Sequence, residues 1–308
     1  MLQLLALVID NLFGDPPNKY HPVAWIGSGI SAAQKHAPKS GSQEQLSYGG
    51  LIVFGGLGLT ARLGWLVARL IQSLPKPLNW LGEATTLKLM LSVGGLARAA
   101  SEIQSALESG DLPKARRLTG WHLVSRDTFA LTESQVAAAA IESLTENTSD
   151  SIVGPLFYYT LFGLSGAIAY RFVNTADSML GYRDAEREWL GKISARLDDV
   201  LNFIPARLTA LLFIIVTWVS GGDATRAASV WRRDCHKTES PNAGHPMSAG
   251  AGALGVELEK VGHYKLGGGQ RLPQIQDINQ AIRLMRRTAF IVACLFGVLS
   301  LLKRKKYA

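Results

Sequence analysis

The chain has 308 residues, 47% of them hydrophobic and 18% charged, with a formal net charge of +8. The charged share lies well below the roughly one quarter expected of a soluble domain, which points to segments that face lipid. Basic residues flank apolar runs at Arg232 and Arg233, at Arg283, Arg286 and Arg287, and in the tail Lys303-Arg304-Lys305-Lys306. That placement suits anionic lipid and cytoplasmic loops, and it lacks the aromatic-interleaved basic stripe of a single-strand nucleic-acid binder.

The opening run MLQLLALVID has no basic start and no small-residue cleavage pattern, so it reads as a short retained helix. Residues 10–27, DNLFGDPPNKYHPVAWIG, are turn chemistry, with Asp10, Asp15 and His21 as their ionisable groups. A histidine before a proline is more often a turn residue than a ligand. Gly27 to Gly29 and Gly56 to Gly58 each begin a G-x-G-x-x-A match, but both sit in apolar helical surroundings and follow no strand. They do not read as dinucleotide loops, and the Walker A pattern is missing from the sequence. Residues 35–47 read as a polar linker. Residues 48–72 form an apolar stretch with Arg62 and Arg69, ended by Pro75 and Pro77. Residues 83–108 read as one amphipathic helix, and residues 111–117 as a helix start with Pro113 in its first turn.

The middle of the chain is the most informative. In TESQVAAAAIESLTENTSDSIVGP, Thr132 and Gln135 make a capping box and Ala137–Ala140 favour helix strongly. Glu142, Glu146 and Asp150 follow at steps of four, so they share a face while the helix persists. Like charges at that spacing repel, which calls for a nearby cation. Asn147 adds an amide beside the row. The apolar run 152–172 is long enough to cross a bilayer, and Pro155 is predicted to bend it. Just upstream, Arg126 and Asp127 are adjacent and serve different partners.

Two further polar clusters repeat the pattern. Tyr170, Arg171, Asn174, Thr175, Asp177 and Ser178 end one apolar run. Asp198, Asp199 and Asn202 precede Pro205 and Arg207, which open another run to Val219. Groups left unpaired beside lipid cost on the order of several kcal/mol each, so such clusters point to paired or functional groups. Ser240-Pro241-Asn242-Ala243-Gly244 is a turn whose amides suit an anion, and the small residues 249–254 suit close helix contact. Residues 267–269 read as a flexible glycine loop, 277–287 as a basic amphipathic helix and 288–302 as a short apolar tail. Cys235 and Cys294 lie far apart, without the spacing of a disulfide or zinc site.

The fold expected is all-α: one domain over residues 1–308, a polytopic integral membrane helical bundle. Polar loops and amphipathic helices would form a site at the membrane interface. Candidate spans are 2–13, 48–72, 152–172, 207–219 and 288–302. The acids offer hard oxygen ligands for magnesium, and Arg126, Arg171 and Arg207 can grip phosphate or carboxylate. With no placed Ser-His or Cys-His pair, covalent hydrolase chemistry is disfavoured. Magnesium-assisted phosphoryl chemistry on anionic substrates fits. An anion transporter would look similar from these residues alone.

A resemblance narrows this. Gly14-Asp15-Pro16 with His21-Pro22-Val23, Arg126-Asp127-Thr128, and Ile141-Glu142-Ser143 with Glu146-Asn147 and Asp150 occur in order. Asn174-Thr175 with Asp177-Ser178 follow, then Asp198-Asp199 with Asn202 and Pro205-Ala206-Arg207, then Ser240 to Gly244. The chain resembles, from about residue 2 to about residue 290, the CobD/CbiB family of adenosylcobinamide-phosphate synthases. His245 stands where the resemblance would put an aromatic. The resemblance implies a cobalamin-pathway enzyme that joins adenosylcobyric acid to aminopropanol or its O-phosphate. The bond made is an amide, formed with ATP and Mg²⁺ through an acyl phosphate. It implies Glu146, Asp150 and Asp198 for metal, and Arg126, Arg171 and Arg207 for phosphate or carboxylate. Glu142 or Asp177 would take the amine proton. Asp127, Asn147, Asn174, Asp199, Asn202, Ser240 and Asn242 complete the binding set. ATP use would put the polar clusters on the cytoplasmic side of the cell membrane. Neighbouring membrane enzymes of the pathway are further partners, and nucleic acid is not. A polytopic corrinoid or anion transporter and a non-catalytic pathway scaffold are the other classes.

Overall fold

Lipid offers the backbone no hydrogen bonds, so a long apolar segment must satisfy its own amides. The chain does so with helix almost throughout. A computed structural model describes residues 1–124, 127–181 and 188–306. The elements are α1 (Leu2–Phe13), α2 (Pro22–Gln34), α3 (Ser42–Gln72), α4 (Leu78–Lys88), α5 (Val93–Glu108), α6 (Leu112–His122) and α7 (Glu133–Thr148). After α7 the backbone widens into a π-helical turn, Ser149–Val153. There follow α8 (Gly154–Leu180), α9 (Lys192–Val219), α10 (Ala224–Asp234), α11 (Gly244–Leu254) and α12 (Ile275–Lys306). A small antiparallel hairpin, β1 (Leu258–Lys260) and β2 (Tyr264–Leu266), precedes α12. Four stretches are long and apolar enough to cross a membrane: Ser42–Gln72, Glu133–Leu180, Lys192–Val219 and Ile275–Leu302. The protein is an all-α, polytopic integral membrane protein.

Several expected boundaries move, each for a physical reason. The run 207–219 extends back to Lys192, because the helix continues through Pro205. The tail 288–302 joins the basic stretch before it in one helix, α12. Both had seemed short because polar residues are helical too when their side chains find partners. The linker 35–47 is shorter than expected, since α3 starts at Ser42. Residues 83–108 are two helices, not one: the amides of Leu89, Met90 and Leu91 close tight turns after α4, and α5 begins at Val93. Pro155 comes just after the π-helical turn 149–153, so the winding changes where a break was expected, and a second interruption lies at Gly163, at φ 66°. Gly27, Gly29, Gly56 and Gly58 all lie inside helices.

Two compact units organise the chain. Unit 1 comprises residues 1–92, 154–202 and 293–308; unit 2 comprises 93–153 and 203–292. No single cut separates them, so no linker marks the division in the sequence.

In unit 1, α3 packs on α8 through glycines. A Cβ at Gly56 would lie 2.0 Å from the Phe172 ring, and one at Gly64 would lie 2.8 Å from the Ser165 backbone. Small residues let membrane helices approach closely, which supplies the packing that lipid cannot drive. The outward side of α3 exposes Leu51, Phe54, Leu59, Leu63 and Leu70, as a lipid-facing helix should. A core of Ile30, Phe172, Val173, Ala176, Leu180 and Leu190 lies behind it. At the other side, Lys88 is 2% exposed. Its ammonium donates to Asp15 at 2.7 Å and to the Gly14 carbonyl, and stands 3.5 Å from Asp10. His21 caps α2 by accepting from the Val23 amide, and its Nε2 faces Asp15 at 3.7 Å. This network ties the loop after α1 to α4.

In unit 2, α7 is the buried element, with every residue from Val136 to Thr145 out of solvent. It packs against α5, α6, α11 and β1. The capping box at Thr132 and Gln135 is formed in both directions. Gly250 of α11 comes so close that a Cβ would lie 2.4 Å from Thr145. Asp234, fully buried, accepts from Arg233, Lys237 and the Gly267 amide. Burial works to raise that carboxyl, but these donors outweigh it and hold it at about 2. The glycine loop is therefore anchored at its first residue. Gly267 also has φ 73° with a Cβ position 2.3 Å from the Val256 carbonyl, which excludes any side chain.

Replacing Lys88 with Met should cost about 3–5 kcal/mol, since it removes the buried cation that faces Asp15 and Asp10. Thermal unfolding in detergent measures this, and an unchanged midpoint would show the network is solvated. Burial raises the Asp15 carboxyl, yet hydrogen bonds from His21 and Lys88 prevail and lower it to about 2. The unfolded value is near 3.9, so this contribution is fully present above about pH 4 and is lost as pH falls toward 2. Asp15→Asn should flatten that acid limb of the stability profile.

Candidate functional site

The polar residues singled out in the sequence fall into two groups, one in each unit. The unit 1 group is carried by α8 and α9. Asp198 is 9% exposed and accepts from two amides: Asn202 Nδ2 on one oxygen at 2.8 Å and Asn174 Nδ2 on the other at 3.3 Å. Asn202 in turn accepts the Tyr170 hydroxyl at 2.6 Å, and Asn174 accepts from Arg171 at 3.3 Å. The five side chains form one chain of donors and acceptors running Arg171, Asn174, Asp198, Asn202, Tyr170. Its logic is helical spacing: Arg171 and Asn174 share a face of α8, Asp198 and Asn202 share a face of α9, and the two faces meet. Two neutral amides satisfy the carboxyl without supplying a countercharge, and each oxygen retains a lone pair.

Asp177 and Asp199 belong to the same unit. The backbone carbonyl of Asp177 accepts the Gly181 amide at 2.7 Å. Asp199 lines a polar cavity of about 280 Å³ with Glu188, Lys192 and Arg196. Two acids and two bases line it, so the cavity is polar but carries no excess charge of either sign.

The unit 2 group is carried by α7, the part of α9 after Asn202, and the turn before α11. Glu142 is buried, while Glu146 and Asp150 are half-buried. Asp150 falls in the π-helical turn, where the wider winding shifts it off the strict four-residue row. Asn147 is committed to its own helix: it donates to the Ser143 carbonyl at 3.0 Å and accepts from Ser151 at 3.4 Å. Arg207 donates to the Asn242 side-chain carbonyl at 3.2 Å and to the Phe203 carbonyl at 2.8 Å, with its guanidinium 3.6 Å from the Phe203 ring centre. Ser240 shapes the turn by accepting the amides of Asn242 and Ala243. Asp127 accepts the Phe129 amide at 2.9 Å and so closes a local turn. Arg126 lies outside the described residues.

Sequence reading missed a third set. Cys235, His236 and His245 bring three potential ligand atoms within 4.8 Å of one another in unit 2. It is a soft and borderline set, unlike the hard oxygen donors magnesium prefers. Nothing in the spacing Cys-His-x₈-His resembles a known ligand motif, so only the turn at Ser240 to Gly244 brings it together. Lys88 was also missed, since a lone lysine in an amphipathic stretch reads as a surface residue.

The family described as CobD/Cbib protein matches residues 3–287. "Cobalamin biosynthesis protein CobD" of Dehalococcoides mccartyi is 44% identical over 276 residues, 89% of each chain. "Probable cobalamin biosynthesis protein CobD" of Methanocaldococcus jannaschii is 37% identical over 273 residues, 88% of this chain and 89% of the relative. "Cobalamin biosynthesis protein CobD" of Citrobacter koseri is 37% identical over 302 residues, 95% of this chain and 94% of the relative. No solved structure matches the chain.

Asn202→Leu removes a donor from the buried Asp198 and an acceptor from Tyr170. The expected cost is about 1–3 kcal/mol, read as a lower unfolding midpoint in detergent. A midpoint equal to that of the native protein would mean that water, not Asn202, satisfies the carboxylate.

Proposed function

The chain belongs to the CobD/CbiB family, and from that premise we propose that it is an enzyme of cobalamin biosynthesis that joins adenosylcobyric acid to aminopropanol or its O-phosphate. The observation that carries this reading is the match over nearly the whole chain to relatives named for that pathway. A carboxylate is a poor acyl donor because oxide would have to leave. In the proposed route, a carboxylate oxygen of the corrin side chain attacks the γ-phosphorus of ATP, and ADP departs. The amine nitrogen then attacks the acyl carbon, the C–O bond to phosphate breaks, and inorganic phosphate leaves. The ammonium proton passes to a carboxylate, either buried Glu142 or Asp177.

The chain's own residues divide the remaining work. Arg171 and Arg207 grip phosphate or carboxylate oxygens in bidentate fashion, with Arg126 as a third candidate. Asn242 and the Phe203 carbonyl orient the Arg207 guanidinium. Glu146 and Asp150, half-buried acids of unit 2, suit a hard cation that keeps waters and substrate phosphates in its shell, and Asp198 retains lone pairs for the same purpose. Magnesium, when bound, neutralises charge on the transferring phosphoryl group. Asn174, Asn202, Asp199, Ser240 and Asn242 hold these groups or the substrates' polar edges. ATP use places the polar clusters toward the cytoplasm, in the cell membrane.

Purified in detergent, the protein should release ADP only when adenosylcobyric acid and the amine are both present. ADP release that ignores either substrate would overturn ligation. Glu146→Gln should lower turnover about 100-fold, the scale seen when one charge-stabilising group is removed, with the unfolding midpoint retained. Full activity in that variant would remove Glu146 from the metal set.

A further inference from the structure

One donor in unit 2 has no part in the route above. His245, in the first turn of α11, is 5% exposed, and its Nε2 is buried with no hydrogen-bond partner among the described residues. Its Nδ1 accepts the indole N–H of Trp231 at 2.9 Å. An indole nitrogen can only donate, so Nδ1 carries the lone pair and Nε2 carries the proton. Burial, then the charge of Arg207, then His236, push the imidazole's pKa down to about 4, so the ring stays neutral and this tautomer persists. A buried N–H without an acceptor is destabilising, and a bound oxygen relieves it.

The surroundings say what kind of oxygen. Arg207 donates to Asn242 Oδ1 at 3.2 Å, the Asn242 backbone carbonyl accepts the His245 amide at 3.0 Å, and Arg207 has no carboxylate partner among the described residues. Glu239, the nearest acid in sequence to His245, faces His263 at 3.4 Å, and Asp234 is turned to Arg233, Lys237 and the Gly267 amide. A cation and a neutral donor thus flank Asn242, and no acid among the described residues pairs with either. The exposed ring of His236 packs edge-on against His245, with centroids 5.6 Å apart.

His236 and His245, together with Cys235, have the spacing of a metal site. Trp231 argues against that use. Ligation at Nε2 requires its lone pair, which moves the proton to Nδ1, where it would meet the indole N–H head-on. Ligating histidines instead donate from the second nitrogen to an acceptor.

We propose that His245 Nε2–H and Arg207 form an oxyanion subsite in unit 2 that takes a phosphoryl oxygen of a substrate, reached by displacement of the His236 ring. The choice of phosphoryl rests on the ligase reading; the donor geometry does not. Two substrates carry such an oxygen, ATP and the amine's O-phosphate.

Equilibrium binding to the detergent-solubilised full chain tests this with three probes: inorganic phosphate, ATP and aminopropanol O-phosphate. His245→Leu should weaken at least one probe about tenfold. His245→Gln, which restores an N–H near the Nε2 position, should stay within about threefold of native. The probe that is lost identifies the source of the oxygen. If His245→Leu misfolds, the double variant Trp231→Phe with His245→Leu leaves no orphaned indole N–H and serves in its place. Native affinity for every probe in a folded Leu variant would overturn the subsite. So would no binding of any probe to the native protein. One equivalent of zinc in the purified protein, lost in Cys235→Ser, would overturn it in favour of a metal centre. Failure of the ligase reading looks different: ADP release would not depend on both substrates while the His245-sensitive phosphate binding stayed intact.

Discussion

A buried charged or amide side chain has no water to turn to, and the buried polar networks of this protein reflect that constraint. Asp198 is held by Asn174 and Asn202, and those amides are held by Arg171 and Tyr170. Lys88 stands among Asp15, Asp10 and a backbone carbonyl. Asp234 has three donors. The first two networks join groups from different helices and so also fix how those helices pack, while the third ties the end of α10 to the loop after β2. Stability and site geometry therefore share the same bonds, and a substitution at Asn202 or Lys88 touches both.

Where polar networks are missing, glycine does the positioning. Gly56 and Gly64 bring α3 onto α8, and Gly250 brings α11 onto α7. The alanine run of α7 belongs to the same device. A helix buried on all sides must be slim if several neighbours are to reach it, and small residues at Ala137–Ala140 allow that. Its cost is that the acids on α7 come close to the unit's interior, which suits groups meant to act on a ligand rather than to solvate a surface.

The site combines two kinds of residue. Some, such as Asn147 and Asp127, satisfy local backbone or side-chain groups and owe their presence in a motif to folding. Others, such as Arg207 and His245, carry donors that no acid among the described residues matches. The motif Gly14-Asp15-Pro16 with His21-Pro22-Val23 falls in the first class, because its aspartate and histidine are tied to Lys88 and to the start of α2. Family resemblance alone does not distinguish these classes; hydrogen-bond partners do.

Sequence by itself determined the helical, membrane-embedded class, the capping of α7, and the family. Those depend on composition, on local spacing and on motifs in order, all of which are one-dimensional. It also placed Arg171 with Asn174 and Asp198 with Asn202, since three- and four-residue steps define a helix face. Only the tertiary structure decided that those two faces meet, that the helices run on through Pro205 and through the basic stretch of α12, and that Lys88 is buried. It alone brought Cys235, His236, His245 and Trp231 together. These facts depend on which helix packs against which, and a burial or a tautomer is set by neighbours far away along the chain.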